Sequence, residues 1–497
     1  MIKVYLDGHR YNYPICDVLQ LFFGASSYDE VENVCTAPMM KYPKGGTGSA
    51  VAEERATRNT DEVIFHSRIR ETHVRTECEN NPALVRESIT EPEKVKREIK
   101  RQLYFLLATF CEREYPWGSL TGIRPTQVAA ETMNPEHLTE FYGVRPQMAA
   151  LAVETAQAEE DTLLRLSPGG VVTYIGIPFC KSRCSYCSFI CSESTTKEKL
   201  MAEYSRCLVR EVTDFFESGY PHPLDAVYVG GGTPTVFEDA AFEHLMRELH
   251  RVLSAYHPQE ITVEAGRADT VTAPKLRILH ELGVDRICIN PQTLHDQTLA
   301  AIGRNHSRDD FYRAYALARE TGFRTINTDI IAGLPGETEQ MFAQTLDGIL
   351  RLQPENITVH TLSAKRASRL TQTDAFQSGT LEAVTVIEHM VDLAHKTLQE
   401  AGYRPYYLYR QKGIMGGHEN TGYTKPGHAC LYNVAMMSDK SSVIGFGAGM
   451  SKRVFPQNRL ERCPSPKNPD DYIRRIHDII EKKKDFFKHR IKKEFAL

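Results

Sequence analysis

The stretch YIGIPFCKSRCSYCSF, residues 174–189, contains the pattern on which the predicted fold and function of this chain depend. Within it, Cys180, Cys184 and Cys187 are spaced as C-x3-C-x2-C. Thiolates this close together in one loop are soft ligands, suited to zinc or to an iron–sulfur cluster. The spacing therefore predicts a metal centre in this loop.

Two kinds of metal centre are compatible with the loop. A structural zinc site is normally closed by four protein ligands, and Cys191 could be the fourth. Three cysteine ligands would instead leave one iron of a four-iron cluster without a protein ligand and able to bind a substrate or cofactor. We favour a 4Fe-4S cluster on Cys180, Cys184 and Cys187. A zinc-structured RNA-modifying or interaction protein is the alternative.

Short apolar strands alternate with helices from residue 171 to residue 362. This alternation is typical of βαβ units and a parallel sheet. Six units predict a partial (β/α)6 barrel, smaller than the eight-stranded barrel of about 250 residues. The cysteine loop directly follows the first strand, and barrel active sites are built from loops at the carboxyl ends of strands. The predicted strands are Val171–Ile177, 225–230, 261–266, 286–290, one beginning at 325, and 355–362; the main predicted helices are 197–216, Asp239–Leu253, 273–282, 310–321 and 338–351.

The barrel is the middle one of three predicted regions in an α/β chain. Residues 1–165 are predicted as an N-terminal α+β region, 166–365 as the barrel, and 366–497 as a mostly helical or irregular extension that caps the substrate. The segment PWGSLTGIRPT, residues 116–126, holds the only tryptophan, Trp117, and is interpreted as a packed turn.

Composition limits the class of protein further. The chain has 497 residues, room for about three domains, and its 41% hydrophobic and 25% charged residues exclude a wholly disordered or fibrous chain. The formal charge is −4, and the basic run at 472–495 is interpreted as a solvated helix face, so we expect no nucleic-acid partner. No apolar run reaches the roughly 18 residues of a membrane helix, and the N-terminus lacks a signal-peptide pattern. We therefore expect a cytoplasmic protein without a membrane span.

Polar side chains recur where the predicted strands end. Glu264, Gln292, Arg304 and Asp329 lie at or just past successive strand ends. A core position there would normally be apolar, and each buried charge needs a partner. A zwitterionic ligand supplies such partners, an ammonium for a carboxylate and a carboxylate for an arginine. The glycines of the GGGTPT turn, residues 230–235, permit close backbone approach to such a ligand.

The cysteine loop and the GGGTPT turn together resemble the radical S-adenosylmethionine (SAM) superfamily. More narrowly, Tyr174 and the Ile-Pro-Phe-Cys that leads to Cys180 resemble the oxygen-independent coproporphyrinogen III oxidase (dehydrogenase) family. The resemblance covers about residues 171–450. The segments LTGIRPT, EAGRADT, INPQTL, ITVHTLSAKRASRL and YLYRQK are similar to its HemZ branch.

The resemblance implies which residues bind the cofactors. The three cysteines would hold the cluster, and Phe179 and Tyr186 would shield it from water. Ser363 and 447–449 match weaker positions for a second SAM. The residues that match SAM-binding positions are Tyr174, Gly231, Gly232, Thr233, Glu264, Gln292, Arg304 and Asp329.

The resemblance also implies the reaction. Reductive cleavage of SAM yields a radical that abstracts hydrogen from a propionate of coproporphyrinogen III. Loss of carbon dioxide and one electron leaves a vinyl group, and two rounds give protoporphyrinogen IX. The electron donor would be a protein such as flavodoxin or ferredoxin. Lys365, Arg366 and Arg410 could pair with the propionates of the tetrapyrrole.

One departure from the family pattern favours an alternative. Oxidases of the family have a further cysteine two residues after the third ligand, where this chain has Phe189. The Tyr-Cys-Ser-Phe pattern at 186–189 is closer to the branch that acts as haem chaperones. The alternative is therefore a haem carrier that keeps the cluster and SAM without decarboxylation. Its candidate iron ligands are His360, His428 and Cys430.

Overall fold

The structure is a computed structural model that describes residues 1–38, 62–187, 192–194, 197–363, 381–411, 417–455 and 459–488. The chain forms two compact units, Met1–Val153 with Gly416–His418, and Glu154–Met415 with Glu419–Leu497. Each unit has its own hydrophobic core. The division of the chain at residues 165 and 365 stays a prediction.

The first unit combines a mixed sheet with helices, as the sequence predicts. Its strands form a sheet in which the first and fourth strands are parallel and the other neighbours antiparallel. Ile15 and Phe22 of the first helix pack with Leu103 and Leu107 of the second in a common core. The described elements are β1 (Ile2–Asp7), α1 (Asn12–Phe23), β2 (Ser27–Asp29), β3 (Val34–Ala37), β4 (Val63–Arg70), β5 (His73–Cys78), β6 (Asn81–Ile89), α2 (Val95–Cys111), α3 (Pro125–Thr132), α4 (Pro135–Tyr142) and α5 (Pro146–Leu163), which continues into the second unit.

The tryptophan segment is a packed turn, which confirms the interpretation of its sequence. Trp117 is only 1% exposed. Gly118 has φ +51°, and a Cβ at this position would lie 2.3 Å from the Tyr142 carbonyl oxygen. The turn is closed by the backbone N–H of Arg145, which donates to the Pro116 carbonyl over 2.9 Å.

The second unit is built on one large sheet with helices packed against it. Its elements after α5 are β7 (Val171–Ile177), β8 (Phe179–Cys180), β9 (Ser192–Glu193), α6 (Glu198–Phe216), β10 (Leu224–Gly231), α7 (Asp239–Leu253), β11 (Glu260–Gly266), α8 (Ala273–Glu281), β12 (Arg286–Ile289), α9 (Asp296–Ala301), α10 (Arg308–Thr321), β13 (Thr325–Ala332), α11 (Glu339–Leu352), β14 (Asn356–Thr361), α12 (Leu381–Glu400), β15 (Arg404–Arg410), β16 (Glu419–Thr424), α13 (Leu431–Ser438), β17 (Ser442–Gly447), β18 (Ser451–Val454), β19 (Leu460–Cys463), α14 (Pro469–Arg474) and α15 (Ile476–Lys488).

Six of these strands form the predicted partial barrel. In the order β14-β13-β12-β11-β10-β7 they lie side by side, and each pair is parallel. A helix follows each of the first five, so the α/β fold class and the (β/α)6 arrangement are confirmed. Because the strands are parallel, their carboxyl ends meet at one edge, which also carries the cysteine loop.

The helices owe their positions to apolar stripes with helical spacing. In α7, Phe242, Leu245, Leu249 and Val252 are buried against the sheet, whereas the opposite face is polar. The helix α10 begins with a capping box, in which the Ser307 side chain accepts from a backbone N–H of the first turn. These local signals place each crossover helix on the sheet that its flanking strands form.

The C-terminal extension differs from the mostly helical or irregular segment that the sequence predicts. Besides its helices it contributes β15–β19, all of which join the barrel sheet. The strand β16 pairs antiparallel with β14, and β17 pairs parallel with β7, so the sheet continues past both ends of the barrel. The sequence does not reveal β16 as a strand, because all six of its residues are buried and a strand covered on both faces shows no polar–apolar alternation.

The basic C-terminal run is only partly the solvated face that its sequence suggests. Arg474 is exposed, but Lys483 is 1% exposed and contacts the buried Glu211 of α6 and the Gly445 carbonyl. A buried lysine needs such partners because its desolvated charge is costly.

Among the helices that the structure describes, none combines the length and the hydropathy needed to cross a membrane.

Candidate functional site

The cysteine loop is anchored to the carboxyl edge of the barrel by backbone contacts. Cys180 ends β8, which pairs with β9 at the other end of the loop. The Ser185 N–H donates to the Ile302 carbonyl over 2.9 Å, and the Ser182 hydroxyl donates to the Gly303 carbonyl over 3.1 Å. The loop is therefore fixed against the turn that follows α9.

Two of the three cysteines have hydrogen-bond donors beside their sulfur atoms. The Thr233 hydroxyl donates to Cys180 Sγ over 3.6 Å, and Arg267 Nη1 lies 4.0 Å from Cys184 Sγ. All three cysteines are half-buried and outside any disulfide, whereas Cys191 lies outside the described residues. Over the described ranges, no group of three His, Cys, Asp or Glu side chains is arranged to hold a metal ion.

The donor set nevertheless fits a cluster with one open iron. Three thiols in one loop offer three soft ligands, and hydrogen-bond donors beside sulfur atoms are typical of protein-bound iron–sulfur clusters. The roles of Cys180, Cys184 and Cys187 as ligands stay a prediction.

Aromatic side chains enclose the loop. Phe179 is fully buried, and its ring packs edge-on against Tyr204 and Phe237, with centroid distances of 5.3 and 6.2 Å. Tyr186 packs against an apolar cluster that includes Ile302, and burial raises the pKa of its hydroxyl. Both rings therefore lie where the sequence predicts a shield against water.

The glycine-rich turn after β10 lies against the residues that lead into the loop. The N–H of Gly232 donates to the Ile177 carbonyl, and the N–H of Thr233 donates to the Phe179 carbonyl, each over 2.8 Å. Gly231 has φ +113°, and a Cβ on Gly232 would lie 2.4 Å from the Phe179 carbonyl oxygen. Only residues without a side chain permit this approach, so the glycines position the turn beside the cysteines.

Glu264 is half-buried near the end of β11, beside this turn. The Tyr228 hydroxyl donates to Glu264 Oε1 over 2.6 Å, and the Gly231 N–H donates to Oε2 over 3.2 Å. Burial, together with the nearby charge of Asp329, raises the pKa of the Glu264 carboxyl to about 7. A ligand cation would replace the missing solvation and favour the ionised form.

Tyr174 belongs to a stack of three tyrosines beside Glu264. Its ring centroid lies 5.8 Å from that of Tyr432, which in turn lies 4.5 Å from that of Tyr228. The residue comes from β7, its neighbours from α13 and β10, so the extension supplies part of the wall inside the barrel.

Asp329 of β13 lies among donors from neighbouring strands. Asn290 Nδ2 donates to its Oδ2 over 2.7 Å, Asn327 Nδ2 donates to its Oδ1 over 2.8 Å, and His360 Nε2 lies 3.6 Å from Oδ2. Burial alone would raise the pKa of the Asp329 carboxyl, but His360 and Asn327 lower it more, so the pKa lies below its ordinary value. The lowered pKa favours the charged form of this half-buried carboxylate.

Gln292 and Arg304 each have a buried polar atom without a hydrogen-bond partner among the described residues. Gln292 has φ +69°, and its backbone N–H donates to the Asp329 carbonyl over 3.0 Å. Arg304 Nη1 donates to the Asn290 carbonyl over 2.5 Å. Within the described chain, Gln292 Oε1 and Arg304 Nε are buried without a hydrogen-bond partner. Buried polar groups are nearly always hydrogen-bonded, so these atoms indicate a polar ligand.

The predicted SAM residues are thus gathered at one edge of the sheet. Two half-buried carboxyl groups, an arginine and an unpartnered amide oxygen suit a ligand with both an ammonium and a carboxylate. Ser363 follows β14 and is half-buried, and Gly447 ends β17 with φ +62°. Their role in binding a second SAM stays a prediction.

The other candidate residues are more dispersed. His428 Nδ1 lies 2.8 Å from the Thr325 hydroxyl, at the amino end of β13, and Cys430 is fully buried just before α13. Neither is at the carboxyl edge, so only His360 of the three candidate haem ligands lies at the site. Arg410 ends β15 and is buried, whereas Lys365 and Arg366 lie outside the described residues.

Sequence reasoning missed two residues that the structure adds to the site. Asn290 holds Asp329, and Arg267 contacts the cysteine loop. Asn290 directly follows a strand, which is the signal that pointed to the other polar residues. Arg267 lies in the EAGRADT segment, whose resemblance to the family was noted without a role for the arginine.

Comparison with known proteins identifies the family. The model of the Radical SAM superfamily matches residues 174–349. The chain is 34% identical over 409 residues to the oxygen-independent coproporphyrinogen-III oxidase-like protein HemZ of Bacillus subtilis, covering 78% of this chain and 80% of that protein. It is 31% identical over 283 residues to the heme chaperone HemW of Bacillus subtilis, covering 56% of this chain and 69% of that protein.

A solved structure supports the same fold. Coproporphyrinogen III oxidase (HemN) from Escherichia coli, described as a radical SAM enzyme, matches with a TM-score of 0.50 and 20% identity, over 65% of this chain and 72% of that one. At this identity the match concerns the fold, whereas the sequence match to HemZ concerns the family. The chain therefore belongs to the radical SAM superfamily and, within it, to the family of the HemZ and HemW proteins.

Proposed function

We propose that this protein converts coproporphyrinogen III into protoporphyrinogen IX by oxygen-independent oxidative decarboxylation. The observation that carries the proposal is the convergence of Glu264, Asp329, Gln292 and Arg304 beside the cysteine loop, with two buried polar atoms left over. The HemZ relative is named as coproporphyrinogen-III oxidase-like, which supports a tetrapyrrole as the substrate. We further propose that the enzyme works in the cytoplasm.

The cofactor residues follow from this proposal. Cys180, Cys184 and Cys187 would hold a 4Fe-4S cluster, and the polar residues beside this loop would hold SAM. When bound, these groups supply reductive cleavage of the SAM sulfonium to methionine and a 5′-deoxyadenosyl radical, with the electron delivered by a protein such as flavodoxin or ferredoxin. Phe179 and Tyr186 exclude water from this chemistry.

The polar residues of the chain orient the SAM. The Glu264 carboxylate, which accepts from Tyr228 and from the Gly231 N–H, keeps lone pairs available for a ligand cation. Arg304 has a free Nε and a fixed Nη1, so its guanidinium is held in place and can still donate to a ligand carboxylate. Contacts to both the ammonium and the carboxylate of SAM would fix the direction in which the rest of the ligand points. Such orientation of a reacting group contributes to catalysis.

The reaction balances for each propionate side chain. The side chain loses a hydrogen atom, one carbon dioxide and one further electron, and a carbon–carbon double bond forms. The reaction therefore requires an electron acceptor, to which this further electron passes. Arg410, buried at the end of β15, is the described cation that we assign to a substrate carboxylate.

The test is an anaerobic incubation with SAM, a reductant and coproporphyrinogen III. We expect 5′-deoxyadenosine and carbon dioxide to form together, and both to be lost in Cys184→Ala. Formation of 5′-deoxyadenosine without carbon dioxide would contradict decarboxylation but not SAM cleavage. A colourless protein that contains stoichiometric zinc would contradict the cluster itself.

A heme chaperone is the second candidate, because the chain is 31% identical to HemW over 283 residues and the Tyr-Cys-Ser-Phe pattern at 186–189 is present. In this case His360, which lies between Asp329 and the Tyr409 hydroxyl, is the candidate iron ligand at the site. Stable haem binding that His360→Ala weakens at least tenfold, with haem transfer and no carbon dioxide release, would favour the chaperone. Haem binding unchanged by that substitution would exclude this ligand.

A further inference from the structure

Arg267 is a buried cation in direct contact with the cysteine loop. It follows β11, three residues after Glu264, and is only 3% exposed. Its Nη1 donates to the Ser182 carbonyl over 3.1 Å and to the Ser182 hydroxyl over 3.0 Å, and lies 4.0 Å from Cys184 Sγ. Its side chain therefore joins the end of one barrel strand to the loop that follows another.

The charges around Arg267 do not balance within the described protein. Its Nε donates to Asp269 Oδ1 over 3.1 Å, but this carboxylate also lies 3.6 Å from the Lys181 amino group. A second buried arginine, Arg304, is close to the same cysteine, Cys184. The half-buried carboxylate of Asp269 thus faces more than one cation, although buried charges normally have a partner of opposite sign.

An unpartnered atom shows where the missing anion belongs. Among the described residues, Arg267 Nη2 is buried without a hydrogen-bond partner, although the other guanidinium nitrogens donate to Asp269 and Ser182. Cys184 Sγ is the soft acceptor beside this guanidinium. Thiolates that carry a cluster supply negative charge and sulfur acceptors, which is what a buried cation with a spare donor requires.

We propose that Arg267 is a positioning residue for the cluster. It holds the cysteine loop through Ser182 and places a cationic donor beside the sulfur of Cys184, so that the cluster is easier to reduce. This rests on the proposed cluster of the preceding section. Hydrogen bonds to the sulfur atoms and nearby charge are among the factors that set the potential of an iron–sulfur cluster, and a neighbouring cation favours the reduced, more negative state.

The experiment compares the midpoint potential of the reconstituted cluster in the full-length protein, without SAM or tetrapyrrole. The variants are Arg267→Gln, which removes the charge, and Arg267→Lys, which keeps the charge but loses the planar fork. The matched control is Lys181→Gln, a cation of the same loop that is half-exposed and screened by water. Iron content and the electron paramagnetic resonance spectrum of the reduced cluster are measured on each protein.

We expect Arg267→Gln to lower the equilibrium constant for one-electron reduction at least tenfold, which is about 59 mV. Arg267→Lys should stay within threefold of the wild type but lose iron to a chelator several-fold faster, because the contacts to Ser182 are gone. Lys181→Gln should also stay within threefold.

Three results would overturn the inference. One is a wild-type potential in Arg267→Gln at equal iron content. Another is a tenfold drop in Arg267→Lys, because that variant keeps the cation. The third is folded but iron-free protein for both variants, which would mean that Arg267 is needed for assembly of the cluster and not for setting its potential.

Should Arg267→Gln alone fail to hold iron, a wild-type potential in Arg267→Lys supports the role of the charge. A wild-type protein that holds no cluster contradicts the proposed function as well, and is recognised before any variant is compared.

Discussion

Burial raises the pKa of the Glu264 carboxyl from its ordinary value of 4.5 to about 7. In the unfolded chain the group ionises near the lower value. Between the two values the folded protein therefore binds more protons than the unfolded chain, so the stability of the fold decreases as the pH rises from 4.5 to 7. Above pH 7 the whole cost of the buried charge is present.

Glu264→Gln removes this titration. In the metal-free protein we compare the free energy of unfolding of the variant with that of the wild type at pH 4 and at pH 8. We expect the difference, variant minus wild type, to be about 3 kcal/mol larger at pH 8, because a tenfold change in proton affinity corresponds to about 1.4 kcal/mol. Urea denaturation at the two pH values measures the difference. Glu243→Gln is the control, because Glu243 forms an exposed surface pair with Arg247 and its loss should change stability by less than about 1 kcal/mol. An equal effect of Glu264→Gln at both pH values would contradict the buried charge.

The residues of the site differ in how well their sequence predicts them. Glu264 and Asp329 could be recognised because a charge at the end of an apolar strand is conspicuous. Arg267 could not, because an arginine in a loop is ordinarily solvated and only the fold brings Ser182 against it. The role of the three cysteines as cluster ligands was predicted from their spacing and stays a prediction.

At the scale of secondary-structure elements, a buried ion pair joins α15 to α6. Lys483 contacts Glu211, which also accepts from the Tyr472 hydroxyl over 2.7 Å and from the Gly447 N–H over 2.8 Å. Both charged side chains are almost fully buried, so removing one leaves the other without its counterion.

We expect Lys483→Met to lower the free energy of unfolding by about 3–5 kcal/mol, because Glu211 then stays charged in an apolar site. The double variant Lys483→Met with Glu211→Gln should recover a large part of this loss. Lys484→Met is the matched control: its partner Glu481 lies in water, so the effect should stay below about 1 kcal/mol. Thermal denaturation measures all three. Equal effects of the two lysine substitutions would show that Lys483 is not paired in the folded protein.

Elements whose apolar residues recur with a regular spacing were predictable from the sequence, and elements without such a spacing were not. The helix Asp239–Leu253 was predicted to the residue because its apolar positions recur with helical spacing. The strands β15–β17 escaped prediction because they lie in a Tyr- and Gly-rich stretch, in which β16 and β17 are strands through their long-range pairing with β14 and β7. Their register is a property of the sheet and not of their own sequence.

At the scale of the whole molecule, the second unit depends on its C-terminal part. The barrel strands β7 and β14 both have outer neighbours from the extension, and α13 adds buried residues such as Leu431 and Val434 next to Val172. A chain that ends at residue 365 would expose this apolar surface and two unpaired strand edges.

We therefore expect residues 154–365 expressed alone to aggregate or to lack a cooperative thermal transition, whereas residues 154–497 fold. Circular dichroism and size-exclusion chromatography of the two fragments make the comparison. A monomeric, cooperatively folded 154–365 fragment would instead support the boundary at 365 that the sequence suggests.

The pairing of β7 with β17 also bears on how the protein is made. The strand that leads into the cysteine loop is synthesised early, but its partner on one side, β17, leaves the ribosome only when most of the chain has been translated. Until then the nascent chain presents an open strand edge directly before the cysteines. The loop therefore reaches its final surroundings late in synthesis.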